Sequence, residues 1–133
     1  MSKGLYPFGL NHYRSLKFQK LRKLISKNQR KIKVEGAYGS SLSFLLIDIF
    51  SSINQQIFYI SNTKETASYV YSDIVELIGE INCSFLPSNY RSDAKKIKDE
   101  SNIINRSKTI RDILDKETKI IVTYPEAIFE KIP

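Results

Sequence analysis

The chain has little of what active-site chemistry is usually built from. Its 133 residues hold one cysteine, Cys83, and no tryptophan. No internal disulfide can form, and the lone thiol fits a reducing, cytoplasmic setting as a buried packing group rather than a nucleophile. A single histidine, His12, is too few for a zinc site or a catalytic triad of the serine-protease kind. Apolar runs are short: Phe44-Leu45-Leu46-Ile47 stops at Asp48, far below the ~20 residues of a membrane span. Glycine and proline are sparse, at 5 and 4 residues, and no internal repeat or low-complexity tract appears. Acid is also missing where base is abundant. Residues 1–34 carry ten Lys or Arg and no Asp or Glu, whereas residues 35–133 carry eleven basic and fourteen acidic residues. The net charge of +7 therefore belongs to a basic N-terminal arm, and the body is slightly acidic.

What remains is an ordinary soluble composition, 41% hydrophobic and 26% charged, long enough for one domain with a real core. Residues 1–11 read as an irregular lead-in without the apolar centre of a secretory signal. An acid-free arm is superficially like a transit peptide, but lysine outnumbers arginine seven to three in it and a domain follows at once. Residues 13–27 predict a helix with Leu21, Leu24 and Ile25 as an apolar stripe, and Phe18 one turn before. Arg14, Lys17, Lys20, Arg22, Lys23 and Lys27 surround that stripe. They would either track phosphates or dock a partner, or simply form the solvated side of a packed helix. No aromatic ladder for stacking bases accompanies them.

Beyond the arm, strand and helix alternate. Residues 32–35 read as a short strand, and residues 42–53 as a helix with Leu42, Leu45, Leu46, Ile49 and Ile53 at helical spacing, capped by Ser40 or Ser41. Residues 55–61 read as a buried parallel strand because their centre, Ile57-Phe58-Tyr59-Ile60, is apolar throughout. A helix then runs from a cap near Thr63 through Ala67, Val70, Ile74, Leu77 and Ile78 to a stop at Gly79. Residues 83–86 make a third strand, and the polar stretch 87–100 a long loop. Residues 101–116 form a helix with Ile103, Ile104, Ile110, Ile113 and Leu114 inward. A fourth strand at 119–124 and a last helix at 126–132, with Pro125 at its first position, complete the body. The expectation is an α/β fold of three layers around a largely parallel sheet, whose ligand face lies at the strands' carboxyl ends.

The stretch Gly36-Ala37-Tyr38-Gly39-Ser40-Ser41-Leu42-Ser43 stands between the first strand and the first helix of that body, the context of a phosphate-binding loop. Over the pattern G-x-x-x-x-G-K-[ST], Gly36 takes the first glycine, Ser41 the second, Leu42 the lysine and Ser43 the hydroxyl. Leucine offers no charge to the β- and γ-phosphates, and a Cβ at position 41 crowds a place where backbone must approach the ligand. Either this is a degenerate nucleotide loop, with Gly36, Gly39, Ser41, Leu42 and Ser43 its surviving positions, or it is a plain strand-to-helix turn. No acidic pair follows any strand to hold magnesium. Glu126, after Tyr124 and Pro125, is a first-turn acid complementing a helix dipole more readily than a general base. No catalytic constellation emerges, and no cofactor is expected.

From Gly36 onward the chain resembles the N-terminal UvrB-like subdomain of the bacterial transcription-repair coupling factor family. The residues that carry it are the Gly-Ala-Tyr-Gly-Ser-Ser loop, Ile57-Phe58-Tyr59-Ile60 and Phe85-Leu86-Pro87-Ser88-Asn89-Tyr90, followed by Asn102-Ile103-Ile104-Asn105-Arg106 and Val122-Thr123-Tyr124-Pro125-Glu126-Ala127. The resemblance spans about 100 residues and rests on motif order and spacing, since each motif alone is weak. It implies a RecA-like fold with a decayed nucleotide site. It also implies a place in the module that recruits the repair protein UvrA to stalled RNA polymerase, with ATP-driven DNA translocation left to a separate motor. The aromatic hairpin by which UvrB probes damaged DNA has no counterpart here, since only Tyr90 is aromatic between Pro87 and Asn102. The family's UvrA-contacting surface lies mainly on a subdomain that would follow Pro133, so no UvrA-binding residue is assigned. On that comparison the chain reads as a fragment of a larger protein, with a basic arm at 1–34 and a UvrB-like subdomain at 35–133. Using the arm for nucleic acid is the alternative role.

Overall fold

A computed structural model describes residues 16–27, 31–36, 39–92, 97–98 and 100–130. Helix α1 (Leu16–Ser26) leads into α2 (Ser40–Ile53), strand β1 (Ile57–Ile60), helix α3 (Lys64–Ile78) and strand β2 (Cys83–Phe85). A short antiparallel pair, β3 (Tyr90–Ser92) with β4 (Ile97–Lys98), precedes α4 (Glu100–Leu114), β5 (Ile120–Thr123) and α5 (Pro125–Phe129). The main sheet has three strands in the order β1-β5-β2, all parallel, with Ile57 opposite Ile120 and Cys83 opposite Ile120 on the other side. The chain is therefore mixed α/β, as the alternation of elements predicted.

The hydrophobic core lies on one face of this sheet. Ile57, Tyr59, Cys83, Phe85, Ile120 and Val122 meet α2 through Leu46, Ile47 and Phe50, and α3 through Ala67, Val70 and Ile74. Tyr71, Phe85 and Tyr124 form an aromatic row within it, with ring centroids 5.4 and 6.0 Å apart. By strand alternation Ser84, Leu86, Ile121 and Thr123 point to the opposite face, and all are buried. Helix α4 lies on that side, where Asp112 takes the Ser84 hydroxyl. It leaves that side of β1 partly open, where Phe58 is 49% and Ile60 56% exposed.

Local chemistry explains the element ends. The Thr63 hydroxyl accepts the Thr66 amide and caps α3. Gly79 ends that helix at φ 87°, in the region open to glycine. Pro125 opens α5 at its first turn, where its missing N–H leaves no helix bond unmade.

Several expectations change. Residues 31–35 are largely exposed and belong to neither sheet, so the strand expected at 32–35 finds no partner here. Neither Ser40 nor Ser41 caps α2. Gly39 holds that position at φ 55°, which costs glycine no Cβ clash, and no side chain caps the helix. Strand β1 is an edge strand with one open face, whereas β5 is the strand buried along its whole length. The stretch 87–100 contains the β3–β4 pair rather than being loop throughout. On α4, Ile104 and Leu114 point to solvent while Arg106 and Thr109 are buried, because that face binds main-chain carbonyls at the end of the sheet.

Candidate functional site

The phosphate-loop positions come first. Gly36 and Gly39 both hold positive φ, at 83° and 55°. Ser41 is exposed in the first turn of α2, and Leu42, half-buried, packs against the core. Ser43 is fully buried, and its hydroxyl donates to the Asp73 carboxylate of α3 at 3.2 Å. The residue in the lysine position thus faces inward, and the hydroxyl in the metal position already has an acceptor. The preceding segment, 31–35, which was expected to aim such a loop past the carboxyl edge of a sheet, belongs to neither sheet among the described residues. These five positions do not converge on a cradle.

The basic arm divides in the structure. Leu21 buries the α1 stripe, and Leu24 and Ile25 are half-buried. Lys20, Lys23 and Lys27 are exposed. Arg22 turns inward and pairs with Asp48 of α2, whose side chain is fully buried. Nothing in the sequence pattern singled out that pair, since Asp48 sits inside an apolar helix with no periodic reason to be buried. Arg14 and His12 lie outside the described residues, and of Lys17 only the helical backbone is described.

The densest polar construction stands at the carboxyl ends of β2 and β5. Arg106, 3% exposed, reaches from α4 and donates to the carbonyls of Pro87 at 3.0 Å, Ala127 at 2.8 Å and Glu130 at 3.0 Å. The Glu130 carboxylate lies 3.7 Å from its guanidinium and accepts the Asn89 amide at 2.9 Å. The Tyr124 hydroxyl accepts the Ser88 amide at 2.8 Å, the Thr123 hydroxyl donates to Leu86 at 3.0 Å, and the Thr109 hydroxyl donates to Phe85 at 2.7 Å. Three of the segments that carry the family resemblance therefore meet around one guanidinium. Arginine suits the task because its planar fork holds several acceptors and keeps its charge when buried. Pro87, Ser88, Thr123 and Tyr124, at the carboxyl ends of β2 and β5, are here bonded within the chain. Glu126 is exposed on the first turn of α5, away from these bonds.

A second cluster stands beside β2. The Ser84 hydroxyl donates to Asp112 at 3.1 Å, and the Lys119 ammonium donates to the same carboxylate oxygen at 3.0 Å and lies 3.4 Å from Ser84. A serine beside a lysine is the arrangement of one class of hydrolases. Here Lys119 is the donor in an ion pair and offers Ser84 no base. Ser84 and Lys119 line a pocket of about 250 Å³ with Tyr71, Asn105 and Lys108. Burial pushes the Cys83 thiol up to about 12, against the opposing pull of Lys119, so the thiol is not a nucleophile at neutral pH. Burial, then the neighbouring Cys83 and Glu80, also raises the Tyr71 phenol above its ordinary value.

Among the described residues no group of three or more His, Cys, Asp or Glu could hold a metal ion, and no helix is long and apolar enough to cross a membrane. No protein-family model matches the chain, and no curated protein matches it.

Proposed function

We propose that the chain is a non-catalytic scaffold and interaction subdomain, of the kind found in the UvrB-like part of a transcription-repair coupling factor. In this reading its fold is RecA-like with a decayed nucleotide loop. It belongs to the module that brings nucleotide-excision-repair proteins, UvrA among them, to a stalled RNA polymerase. The observation that carries the absence of catalysis is the fate of the loop. Leu42 packs on the core, the Ser43 hydroxyl is taken by Asp73, and the carboxyl edge is filled by the Arg106 contacts. Motif order and spacing support the family assignment. Titration of the full chain with ATP and magnesium at low salt, followed by calorimetry, tests it. No heat of binding is expected, and saturable magnesium-dependent binding would overturn the decayed-loop reading.

A second reading rests on the exposed lysines of α1 and of the residue after it, Lys20, Lys23 and Lys27. An arm that neutralises phosphates binds nucleic acid with an affinity that falls steeply as salt rises. Removal of residues 1–34 should then abolish binding to duplex DNA, and unchanged binding after removal excludes the arm.

A further inference from the structure

Strand β2 forms one edge of the main sheet, and that edge is partly closed by the chain itself. The Leu86 amide donates to the Val122 carbonyl of β5 at 2.9 Å, so by alternation the main-chain groups of Cys83 and Phe85 face away from β5. Two of those four groups are already bonded. The Cys83 N–H donates to the Glu80 carbonyl, in the short 3-10 turn Glu80–Asn82 that leads into the strand. The Phe85 C=O accepts from the Thr109 hydroxyl of α4 at 2.7 Å. The Cys83 C=O and the Phe85 N–H have no hydrogen-bond partner among the described residues. One acceptor and one donor therefore remain, on either side of Ser84. One residue of a chain parallel to β2 satisfies both, donating its N–H to the first and accepting from the second. An antiparallel chain reaches the same two groups only with two residues, one on each side of the residue opposite Ser84.

Charge is ordered along this slot. The pocket of about 250 Å³ is lined by Cys83, Ser84 and Phe85 themselves, by Tyr71 of α3 and by Asn105 and Lys108 of α4. Helix α4 meets Phe85 through Thr109 and Ser84 through Asp112, three residues later, so it runs against β2. Asn105 and Lys108 therefore stand toward the Phe85 end. Glu80, which also lines the pocket, stands at the Cys83 end. The side chains of Asn105, Lys108 and Glu80 have no hydrogen-bond or ion-pair partner among the described residues. Lys119, the other cation of the pocket, is held by Asp112 at 3.0 Å. The uncompensated positive charge thus lies at the end with the free N–H, and the negative charge at the end with the free C=O.

We propose that this slot binds the carboxyl-terminal residue of a peptide, seated parallel to β2. The N–H of that residue donates to the Cys83 carbonyl, and its carboxylate accepts from the Phe85 amide and pairs with Lys108. The parallel direction follows from the charges, since the reverse direction would carry the carboxylate to Glu80. A terminal residue is the occupant because a chain that continued past Phe85 would bring no charge to Lys108 and would find the next acceptor, the Phe85 carbonyl, already taken by Thr109. The volume equals that of about eight waters at ~30 Å³ each, room for one small residue and the acyl group before it. The inference rests on the edge of β2 alone and does not depend on the proposed cellular role.

NMR titration of the full chain with the peptide acetyl-Ala-Ala-Ala, once as the free acid and once as the carboxamide, tests it. The acid should bind saturably and about tenfold more tightly than the carboxamide, because the amide end loses a charge-assisted hydrogen bond and an ion pair together. At saturation the Phe85 amide should exchange at least about tenfold more slowly, while the Ser84 and Leu86 amides, which face β5, keep their rates. Lys108 is exposed, so Lys108→Ala leaves the fold intact. That variant should weaken binding of the acid about threefold and leave the carboxamide unchanged. Absence of saturable binding by the acid, equal affinity for the two peptides, or an unaltered Phe85 amide would overturn the proposal. Equal weakening of both peptides by Lys108→Ala would overturn it too.

Discussion

Replacing Arg106 by methionine keeps an unbranched side chain of similar length and removes every donor. The carbonyls of Pro87 and Ala127 would then lose a charged partner inside the protein, and that of Glu130 would lose one at its margin. Each buried polar group left unsatisfied costs about 1–3 kcal/mol, while the methionine regains some packing and its guanidinium counterpart no longer needs desolvation. The net expectation is a loss of about 3–5 kcal/mol, the range for breaking a buried charged cluster from one side. Against a domain stability of ~5–15 kcal/mol that is a large fraction. With a urea slope of ~1–3 kcal/mol per molar, the unfolding midpoint should fall by about 2 M. Arg106→Lys keeps the charge but presents a compact ammonium that cannot fork across three carbonyls, so it should recover less than half of the loss. A local readout accompanies the global one: the Ser88 and Asn89 amides, held by Tyr124 and Glu130, should exchange faster in Arg106→Met than in wild type under native conditions. A methionine variant within about 1 kcal/mol of wild type, with those amides still protected, would refute the view that this guanidinium holds the carboxyl edge together.

Arg22→Ala withdraws the guanidinium from the fully buried Asp48 carboxylate and should cost about 3 kcal/mol by urea denaturation. Arg22→Ala combined with Asp48→Leu should recover much of it, since the charge that burial penalises is gone as well. Cys83 gives a pH prediction whose sign follows from its raised pKa. The folded chain keeps the thiol proton while the unfolded chain loses it, so stability is fully present below about pH 9 and falls as pH rises toward about 12. The slope attributable to this thiol is at most ~1.4 kcal/mol per pH unit. It should appear as the difference between wild type and Cys83→Ala across that window, and parallel curves for the two proteins would count against burial of the thiol.

How much of this was legible beforehand depends on whether an element's environment is set locally or by its neighbours. Strand β5 was readable because Ile120, Ile121 and Val122 leave no polar side to expose, and it proved buried throughout. Strand β1 has the same apolar look, and a continuous apolar run says nothing about whether a second helix layer covers it. Thr63, Gly79 and Pro125 were readable because caps and first turns are local chemistry, decided within a few residues. The serines that open α2 were misleading for the complementary reason. A glycine at positive φ can begin a helix without a side-chain cap, and Gly39 does so.

The interior polar residues were the hardest to read. Helical spacing on α4 assigned Ile104 and Leu114 to the core, yet both are exposed while Arg106 and Thr109 are buried. Spacing counts apolar residues, and it cannot count the main-chain carbonyls that a parallel sheet leaves at its carboxyl edge. The carbonyls of Pro87 after β2 and of Ala127 and Glu130 in and after α5 come together only in the folded chain, and they make an arginine the better choice for the inner face of the helix. The same reasoning changes what the family-like segments mean. Phe85 to Asn89, Arg106 and Thr123 to Ala127 are far apart in sequence and meet in one set of hydrogen bonds. Closure of the sheet's carboxyl edge is thus one physical task that these segments share. A scaffold would need these residues to hold its shape, and an enzyme on the same framework would need others in addition. Among the described residues most polar groups at this edge are bonded within the chain, the Ser61 hydroxyl and the Arg106 Nε excepted.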